Sequence, residues 1–506
     1  MKKRVLTIIM AFVLIAQVAA EVLALSAILR LNMLPNKYLA LLVALMAVHT
    51  LGTALIMFAR GKKKRRVGIA RRIIACVIVL LTVLACTPIA KFATEAHRTI
   101  SVVTNKVSTS NRNVYAFVLV EDSAKTVVDA KNYTFGLVEN YDVKHTEKAV
   151  ETLSKMAGKE IATANYLSAT DLAKDLYEKK IGAVIMNGAS VALLLEEPEY
   201  ETFTEKVRIL TTMPYSTLEE ETKPTEPVAT EPPVPKDVTN TPFVVYFSGS
   251  DTRSTMLTVS RSDVNILAVV NPQTKQILLI NTPRDYYVPN PEGDGAMDKL
   301  THCGLYGPEC SMATLEALYG LNIDYYGQIN FVGFEKLVDA VGGITVYSDQ
   351  SFRAGDTYIS VGENHLNGSQ ALEFSRERYR VSGGDNGRGK NQMKVIKGVI
   401  EKMTSGTTVI SNYPAILQSL EGMFSTSMEM SDISMLVKMQ LNDMATWNIQ
   451  SYAVTGVGGN EKTYSMPGSY CYVMHEDEVS TAYAAELAGR VIAGEKLTEA
   501  DMKLPK

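Results

Sequence analysis

The sequence predicts an α/β protein on a helical membrane anchor, and three observations predict it. Three apolar runs occupy the first ninety residues. After them, short β-rich apolar segments alternate with segments whose apolar residues recur every three or four positions. Charge is divided along the chain: residues 1–100 hold 15 Lys+Arg against 2 Asp+Glu, and the remainder holds 36 against 52. A soluble nucleic-acid binder would gather basic residues on its folded domain, so no nucleic acid is expected as a partner. With 46% apolar residues over 506 positions the chain is no disordered polymer, and its 5 Cys are too few for a disulfide scaffold.

The apolar runs cover residues 5–29, 38–59 and 73–90, with Glu21 the single charge among them. Each approaches the roughly 20 residues that cross a bilayer core. Arg60, Lys62, Lys63, Lys64, Arg65, Arg66, Arg71 and Arg72 stand between the second and third runs, and Lys2, Lys3 and Arg4 precede the first. The loop between the first and second has only Arg30 and Lys37. Positive residues stay inside, which sets the N-terminus and the second loop in the cytoplasm. Three crossings then make a multi-pass cell-membrane protein whose C-terminal domains, after about residue 91, are extracytoplasmic.

Residues 1–98 form the expected membrane region. Residues 99–213 read as a small α/β accessory domain, with strands over 114–120 and 181–186 and helices over 147–157 and 169–179. It carries no catalytic constellation, and a scaffold role is expected. Residues 214–242 contain seven Pro and six acidic residues, the composition of an extended linker. Residues 243–506 return to alternation: strands over 243–247, 264–270, 276–281 and 344–347, helices over 310–319, 331–341, 370–374, 389–403 and 413–423. Gly320 and Gly342-Gly343 sit where helices stop.

Several mechanisms fail on the residues. No HExxH, CxxC or GxSxG segment occurs. Gly384 to Lys390 fits GxxxxGK, but Asn391 stands where a nucleotide P-loop needs Ser or Thr. Cys303, Cys310 and Cys471 face an oxidising side, and Cys303 with Cys310 is the first pair to consider for a bridge.

What remains is arginine and carboxylate gathered at strand ends and helix starts. The segments are Ser250-Asp251-Thr252-Arg253, Arg261-Ser262-Asp263, Thr282-Pro283-Arg284-Asp285, Ser375-Arg376-Glu377-Arg378-Tyr379-Arg380 and Asp385 through Gln392. If extended, the fourth would turn Arg376, Arg378 and Arg380 to one side. Arg388 and Gln392, at i and i+4 in the first turn of the following helix, would share a face near its positive end. Guanidinium forks suit phosphate oxygens, and the carboxylates of Asp251 and Asp263 suit magnesium. Any one arginine could equally serve a surface salt bridge; their clustering in an acidic domain points to a local anionic ligand.

These residues, with Asp263-Val264-Asn265-Ile266, Asp298-Lys299-Leu300-Thr301-His302, Val338-Asp339-Ala340-Val341-Gly342-Gly343-Ile344, Leu366-Asn367-Gly368 and Gln370-Ala371-Leu372, resemble the LytR-CpsA-Psr family over about 243–405. The anchor and accessory domain are similar to its capsule-associated CpsA branch. The resemblance implies a larger α/β catalytic domain with a central mixed sheet and a magnesium ion on Asp251 and Asp263. Arg284, Arg376, Arg378, Arg388 and Gln392 match the family's pyrophosphate-binding set, with Arg261 and Lys299 beside them. Asp285 adjoins that site, and Phe331, Phe334, Leu337 and Val338 are wall candidates for an apolar lipid tunnel.

The activity so implied is phosphotransfer in a Gram-positive envelope. An anionic glycopolymer, capsular or teichoic-acid-like, passes from a polyprenyl-pyrophosphate carrier to peptidoglycan. Partners would be that carrier, peptidoglycan, the membrane and capsule-biosynthesis proteins. Water in place of the acceptor hydroxyl gives a lipid-pyrophosphate hydrolase. A non-catalytic sensor, reporting through its three spans, is the reading of another class.

Overall fold

The computed structural model describes residues 2–58, 65–104, 113–139, 141–195, 197–214, 236–250, 260–405, 416 and 419–505. It opens with α1 (Lys2–Leu31), α2 (Asn36–Phe58) and α3 (Arg65–Val103), each long and apolar enough to cross a bilayer. Glu21 is buried among them: Thr50 Oγ1 donates to it at 2.6 Å, Gln17 Nε2 at 2.9 Å, and His49 Nδ1 lies 3.1 Å away. Neighbouring side chains thus satisfy the one acidic group in the run, as a low-dielectric setting demands. The third helix continues beyond residue 98, because Ala93, Ala96, Ile100 and Val103 keep one buried apolar face at helical spacing. Anchor and accessory region therefore overlap at 99–103.

The accessory unit comprises β1 (Val114–Leu119), β2 (Thr134–Val138), α4 (Val143–Ala157), β3 (Ala162–Tyr166), α5 (Ala169–Tyr177), β4 (Ala183–Asn187), α6 (Gly188–Leu194) and β5 (Val207–Met213). Its mixed sheet has the order β3-β2-β4-β1-β5. Alternate residues of β1 serve opposite faces: Val114 and Ala116 meet Leu153 of α4, while Phe117 and Leu119 meet Leu172 of α5. The linker expected over 214–242 falls mostly outside the described residues, but the unit does not stand apart from the larger domain. Ala189 and Ala192 of α6 pack on Leu305 and Tyr306 of the larger domain, and the Tyr141 and Tyr306 hydroxyls meet at 2.5 Å. Small side chains on α6 let it approach closely enough to bury that pair. Cys303 and Cys310 lie in the same cluster as free thiols, not as the bridge their spacing allows.

The larger domain is built on β6 (Phe243–Ser250), β7 (Val264–Asn271) and β8 (Gln276–Asn281). The ribbon of β9 (Tyr287–Pro289) and β10 (Met297–Lys299) follows, then α7 (Leu300–Cys303), α8 (Pro308–Tyr319), β11 (Tyr325–Asn330) and α9 (Phe331–Ala340). Next come β12 (Ile344–Ser348), β13 (Phe352–Ala354), β14 (Thr357–Ile359), β15 (Gly362–Leu366), α10 (Gly368–Arg376) and α11 (Gly384–Thr404). The chain closes with β16 (Phe424–Thr426), α12 (Met430–Asp443), β17 (Asn448–Ala453), β18 (Gly456–Thr463), β19 (Met466–Glu476) and α13 (Glu478–Ile492). The central sheet is mixed, in the order β16-β11-β6-β7-β8-β17. Of the helix expected over 413–423, residues 413–415, 417 and 418 lie outside the described residues; 416, 419 and 420 are helical and 421–423 form a turn.

The continuous apolar runs of β6, β7 and β8 are explained by cover on both faces. Val244, Tyr246, Leu267, Val269, Leu278 and Ile280 face a core shared with α8 and α13. Phe243, Val245, Ile266, Ala268, Ile277 and Leu279 face the side of α11 and α12. Local signals set the helix starts and stops. The Asn367 side chain accepts from the Gln370 amide and the Gln370 side chain from the Asn367 amide, a capping box that opens α10. Gly320 ends α8 in the left-handed region at φ 62°. Helix α11 begins at Gly384, five residues before the start its apolar pattern gives, because Gly383 caps it at φ 88°. Arg388 is therefore in the second turn, not the first.

Candidate functional site

The ends of β7 and β8 bring the site together. The two strands are antiparallel with Ile266 opposite Asn281, so the start of one lies beside the exit of the other. Asp263 precedes β7, fixed by its amide's bond to the Gly249 carbonyl at 2.9 Å. After β8, the Thr282 hydroxyl bonds to Tyr319 at 2.7 Å and the Tyr286 amide to the Pro283 carbonyl at 3.1 Å. That turn aims Arg284 and Asp285 at the same edge. Arg284 Nη1 donates to Asp263 Oδ1 at 2.5 Å, and its Nε lies 3.7 Å from Asp285 Oδ2. Lys299 Nζ donates to Asp285 Oδ1 at 3.2 Å, and the Thr301 hydroxyl lies 3.4 Å from Asp263.

Helix α11 supplies the second wall. It approaches the sheet so closely at Gly389 that any Cβ there would enter the Asn281 side chain. The approach brings Arg388, whose Nη2 meets Asp385 Oδ1 at 2.5 Å. Burial pushes the Asp385 carboxyl above its ordinary value; Asp285 adds to this, and Arg388, Arg284 and Arg378 partly offset it. Burial also lowers Arg388, with Asp385 offsetting and Arg284 and Arg378 adding. At Arg284 burial works against the charge, but Asp263 and Asp285 outweigh it and raise the guanidinium above its usual value. Arg284, Arg378 and Arg388 thus share one field with Asp263, Asp285 and Asp385. Arg284 Nε is buried and has no hydrogen-bond partner among the described residues. A buried donor without an acceptor is costly, and an anionic oxygen at that point would satisfy it.

The remaining candidates fall at the rim. Arg376 ends α10 with its guanidinium 4.6 Å from the centre of the Phe331 ring. The extended 376–380 segment does not form. Glu377 instead accepts from the Tyr379 and Arg380 amides at 2.8 and 3.0 Å, closing a turn that leaves Arg378 over the exposed Tyr379 ring. Arg380 is drawn back to Glu377 at 3.4 Å and leaves the arginine row. Arg261 is half-buried two residues before Asp263, and Asp251 lies outside the described residues.

Below the charges a cavity of about 560 Å³ separates the sheet from α9, α11 and α12. Phe331, Phe334 and Leu337 line it, and Gln392, itself buried, stands in its wall. Val338 does not: it is fully buried in a core cluster with Val341 and Ile344. Tertiary packing explains the correction: by helical period Val338 shares the face of Phe331 and Phe334, but Ile344 of β12 and Ala371 and Phe374 of α10 enclose it.

Magnesium keeps much of its water and takes one or two carboxylates together with phosphate oxygens. Asp263 suits that requirement. Its Oδ1 is engaged by Arg284, while Oδ2 accepts no bond among the described residues. No group of three or more metal-ligating side chains forms among the described residues.

Two site features escaped the sequence reading. Asp385 was legible only as part of a motif, although its i,i+3 spacing to Arg388 is that of a helical ion pair. Asp298 is the other: fully buried, it accepts from His302 Nδ1 at 2.6 Å, Ser465 Oγ at 2.5 Å, Asn290 Nδ2 at 3.1 Å and the Lys299 amide at 2.8 Å. It thereby fixes the backbone from which Lys299 and Thr301 reach the site.

A model of the LytR_cpsA_psr family matches residues 210–486. The polyisoprenyl-teichoic acid–peptidoglycan teichoic acid transferase TagU of Enterococcus faecalis is 39% identical over 194 residues, covering 38% of this chain and 63% of that protein. The protein of the same name from Oceanobacillus iheyensis is 32% identical over 232 residues, covering 44% and 68%. The chain thus spans just under two thirds of the length of the first of these relatives. The X-ray structure of the Lin1025 protein from Listeria innocua is similar at 29% identity and a TM-score of 0.41, covering 50% of this chain and 100% of that one.

Proposed function

The chain belongs to the LytR_cpsA_psr family, and from that membership we propose that it is a membrane-anchored phosphotransferase, acting outside the cytoplasm. It moves an anionic glycopolymer from a polyprenyl-pyrophosphate carrier to peptidoglycan. One observation carries the reading: a cluster of arginines, with the buried Nε of Arg284 lacking a hydrogen-bond partner among the described residues, adjoins an apolar cavity, since Phe331 under Arg376 and Gln392 one turn from Arg388 both line it. That arrangement fits an amphipathic ligand with an anionic head and a hydrocarbon tail. The names of the relatives favour a teichoic-acid-like polymer; capsular polysaccharide and capsule-biosynthesis partners rest on the resemblance of anchor and accessory unit alone.

In this reading Arg284 and Arg388 hold the pyrophosphate from the inner side, and Arg376 and Arg378 close over it from the rim. Gln392 meets the carrier where its head passes into the cavity, and Lys299 keeps Asp285 oriented beside the phosphates. A peptidoglycan hydroxyl attacks the sugar-linked phosphorus, and the bond to the polyprenyl phosphate breaks. The fixed guanidinium groups stabilise the charge that develops on the leaving phosphate. Magnesium, when bound through Asp263 and Asp251, supplies further neutralisation of that charge.

Two outcomes follow from the charges. Asp263→Asn should raise the magnesium concentration needed for half-maximal transfer about tenfold, since it deletes one anionic ligand while keeping the arginines. A magnesium titration of folded variant against wild type reads it. As pH falls through the raised value of Asp385, protonation should release Arg388 and tighten binding of a lipid-linked sugar pyrophosphate, a diester of constant charge. Isothermal titration at pH values stepped down from neutral should show that rise, and Asp385→Asn should flatten it.

The activity itself is tested with the full chain in vesicles holding a lipid-linked glycopolymer, with peptidoglycan added outside. Polymer joined to peptidoglycan, with release of polyprenyl phosphate, supports transfer. Free polymer phosphate without joined product would assign hydrolysis, and retained donor with neither product would assign a sensor.

A further inference from the structure

The anchor does more than tether the domain. Helix α3 has 39 residues, about 58 Å at 1.5 Å per residue, whereas a bilayer core takes about 30 Å. Its surplus at the C-terminal end carries Lys91, Glu95, His97 and Arg98, so this end leaves the hydrocarbon. It runs beneath the larger domain, and Ile100 and Val103 there line the same cavity as Phe331 and Gln392. Ile100 also belongs to a buried cluster with Ala27 and Leu31 of α1 and with Ile433 and Val437 of α12. Ile433 and Val437 themselves line the cavity.

Polar contacts hold this junction in register. Lys438 Nζ donates to Asn32 Oδ1 at 2.6 Å, Lys37 Nζ to the Asn442 carbonyl at 3.1 Å, and Arg98 pairs with Glu421 at 3.0 Å. One apolar surface therefore runs from the membrane-crossing part of α3, past Ala93 and Ala96, to the cavity beneath the arginines.

We propose that the outer end of α3, with Ile100 and Val103, is the entry wall for the polyprenyl tail, which passes laterally from the bilayer into the cavity without crossing water. The inference rests on the lipid-pyrophosphate reading above. It gives the anchor a binding role: the tail spans from the head site along α11 to α3, and its far end stays among the lipids.

The test uses the full chain in vesicles with two photoreactive polyprenyl pyrophosphates, one carrying a diazirine near the head and one near the far end of the tail. The near-head probe should label peptides containing Phe331 or Val395, and the far probe the peptide containing Ile100 and Val103. Near-head labelling without any far-probe label on α3 would overturn the entry route and leave the head site standing. Failure of both probes to label the cavity would overturn both readings. In Ile100→Arg, checked for folding by the unchanged melting of the soluble domains, near-head labelling from vesicles should fall about tenfold or more, because a charge now sits on the apolar path. Unchanged labelling would contradict the proposal.

Discussion

Replacing Arg388 with Ala should slow transfer by about 10- to 150-fold in single turnover, the equivalent of about 1.5–3 kcal/mol for a charge-assisted bond. Of the four arginines assigned to the pyrophosphate, Arg284 and Arg388 are the ones drawn inside, with side chains 19% and 12% exposed. Their bonds act where water screens least, while Arg376 and Arg378 at the exposed rim should each matter less. Arg388 is also the cleaner probe. Removing Arg284 strips Asp263 and Asp285 of their shared partner, whereas Asp385 without Arg388 still lies in the field of Arg284 and Arg378. Arg388→Lys should recover little, because a point charge cannot present two parallel donors to phosphate. Circular dichroism and thermal melting of each variant, run beside the kinetics, separate lost chemistry from lost fold.

The second large effect is on stability. Asp298→Ala should destabilise the larger domain by about 3–5 kcal/mol, the usual cost of breaking a buried charged cluster by removing one member. Four donors converge on this carboxylate, and all would be left without their acceptor. The pH dependence gives a signature. Burial opposes the Asp298 charge, but His302, Ser465 and the Lys299 amide outweigh it and hold the carboxyl below the ordinary 3.8. A carboxyl depressed on folding stabilises above its unfolded value, and that stability fades as pH falls through the lower folded value. Wild type should therefore lose stability below about pH 4, and Asp298→Ala should lose less over the same interval. Transfer should fall as well, since Lys299 and Thr301 are carried on the backbone that Asp298 fixes.

Much of this was legible in the residues because several patterns have one physical solution. The runs at 264–270 and 276–281 are largely apolar without alternation and too short for a bilayer-crossing helix, and among strands it is one covered on both faces that uses such a run. Gly320 and Gly342-Gly343 end helices because they alone take positive φ without strain. The Asn367-Gly368 and Gln370 motif is a capping box, a local device that sequence spacing reveals. The arginines were legible as a cluster but not as a geometry. Periodicity in 376–380 cannot show that Glu377 will capture two amides and Arg380, which breaks the row. Nor could spacing show the place of Val338, since it shares a helix face with Phe331 and Phe334 and only tertiary contact with Ile344, Ala371 and Phe374 sets it apart. The docking of α6 on Tyr306 was hidden for a similar reason: Ala189 and Ala192 read as ordinary helix formers until their partner is in view.

The claim at the centre is that Arg284 and Arg388 bind a pyrophosphate whose hydrocarbon tail fills the cavity below them. Native mass spectrometry of the full chain in detergent, with equimolar polyprenyl pyrophosphate and polyprenol, tests it most directly. The expected result is one retained pyrophosphate lipid per chain, little polyprenol, and loss of the pyrophosphate lipid in a folded Arg284→Ala, Arg388→Ala double variant. Equal retention of the two lipids, or full retention by the double variant, would contradict it.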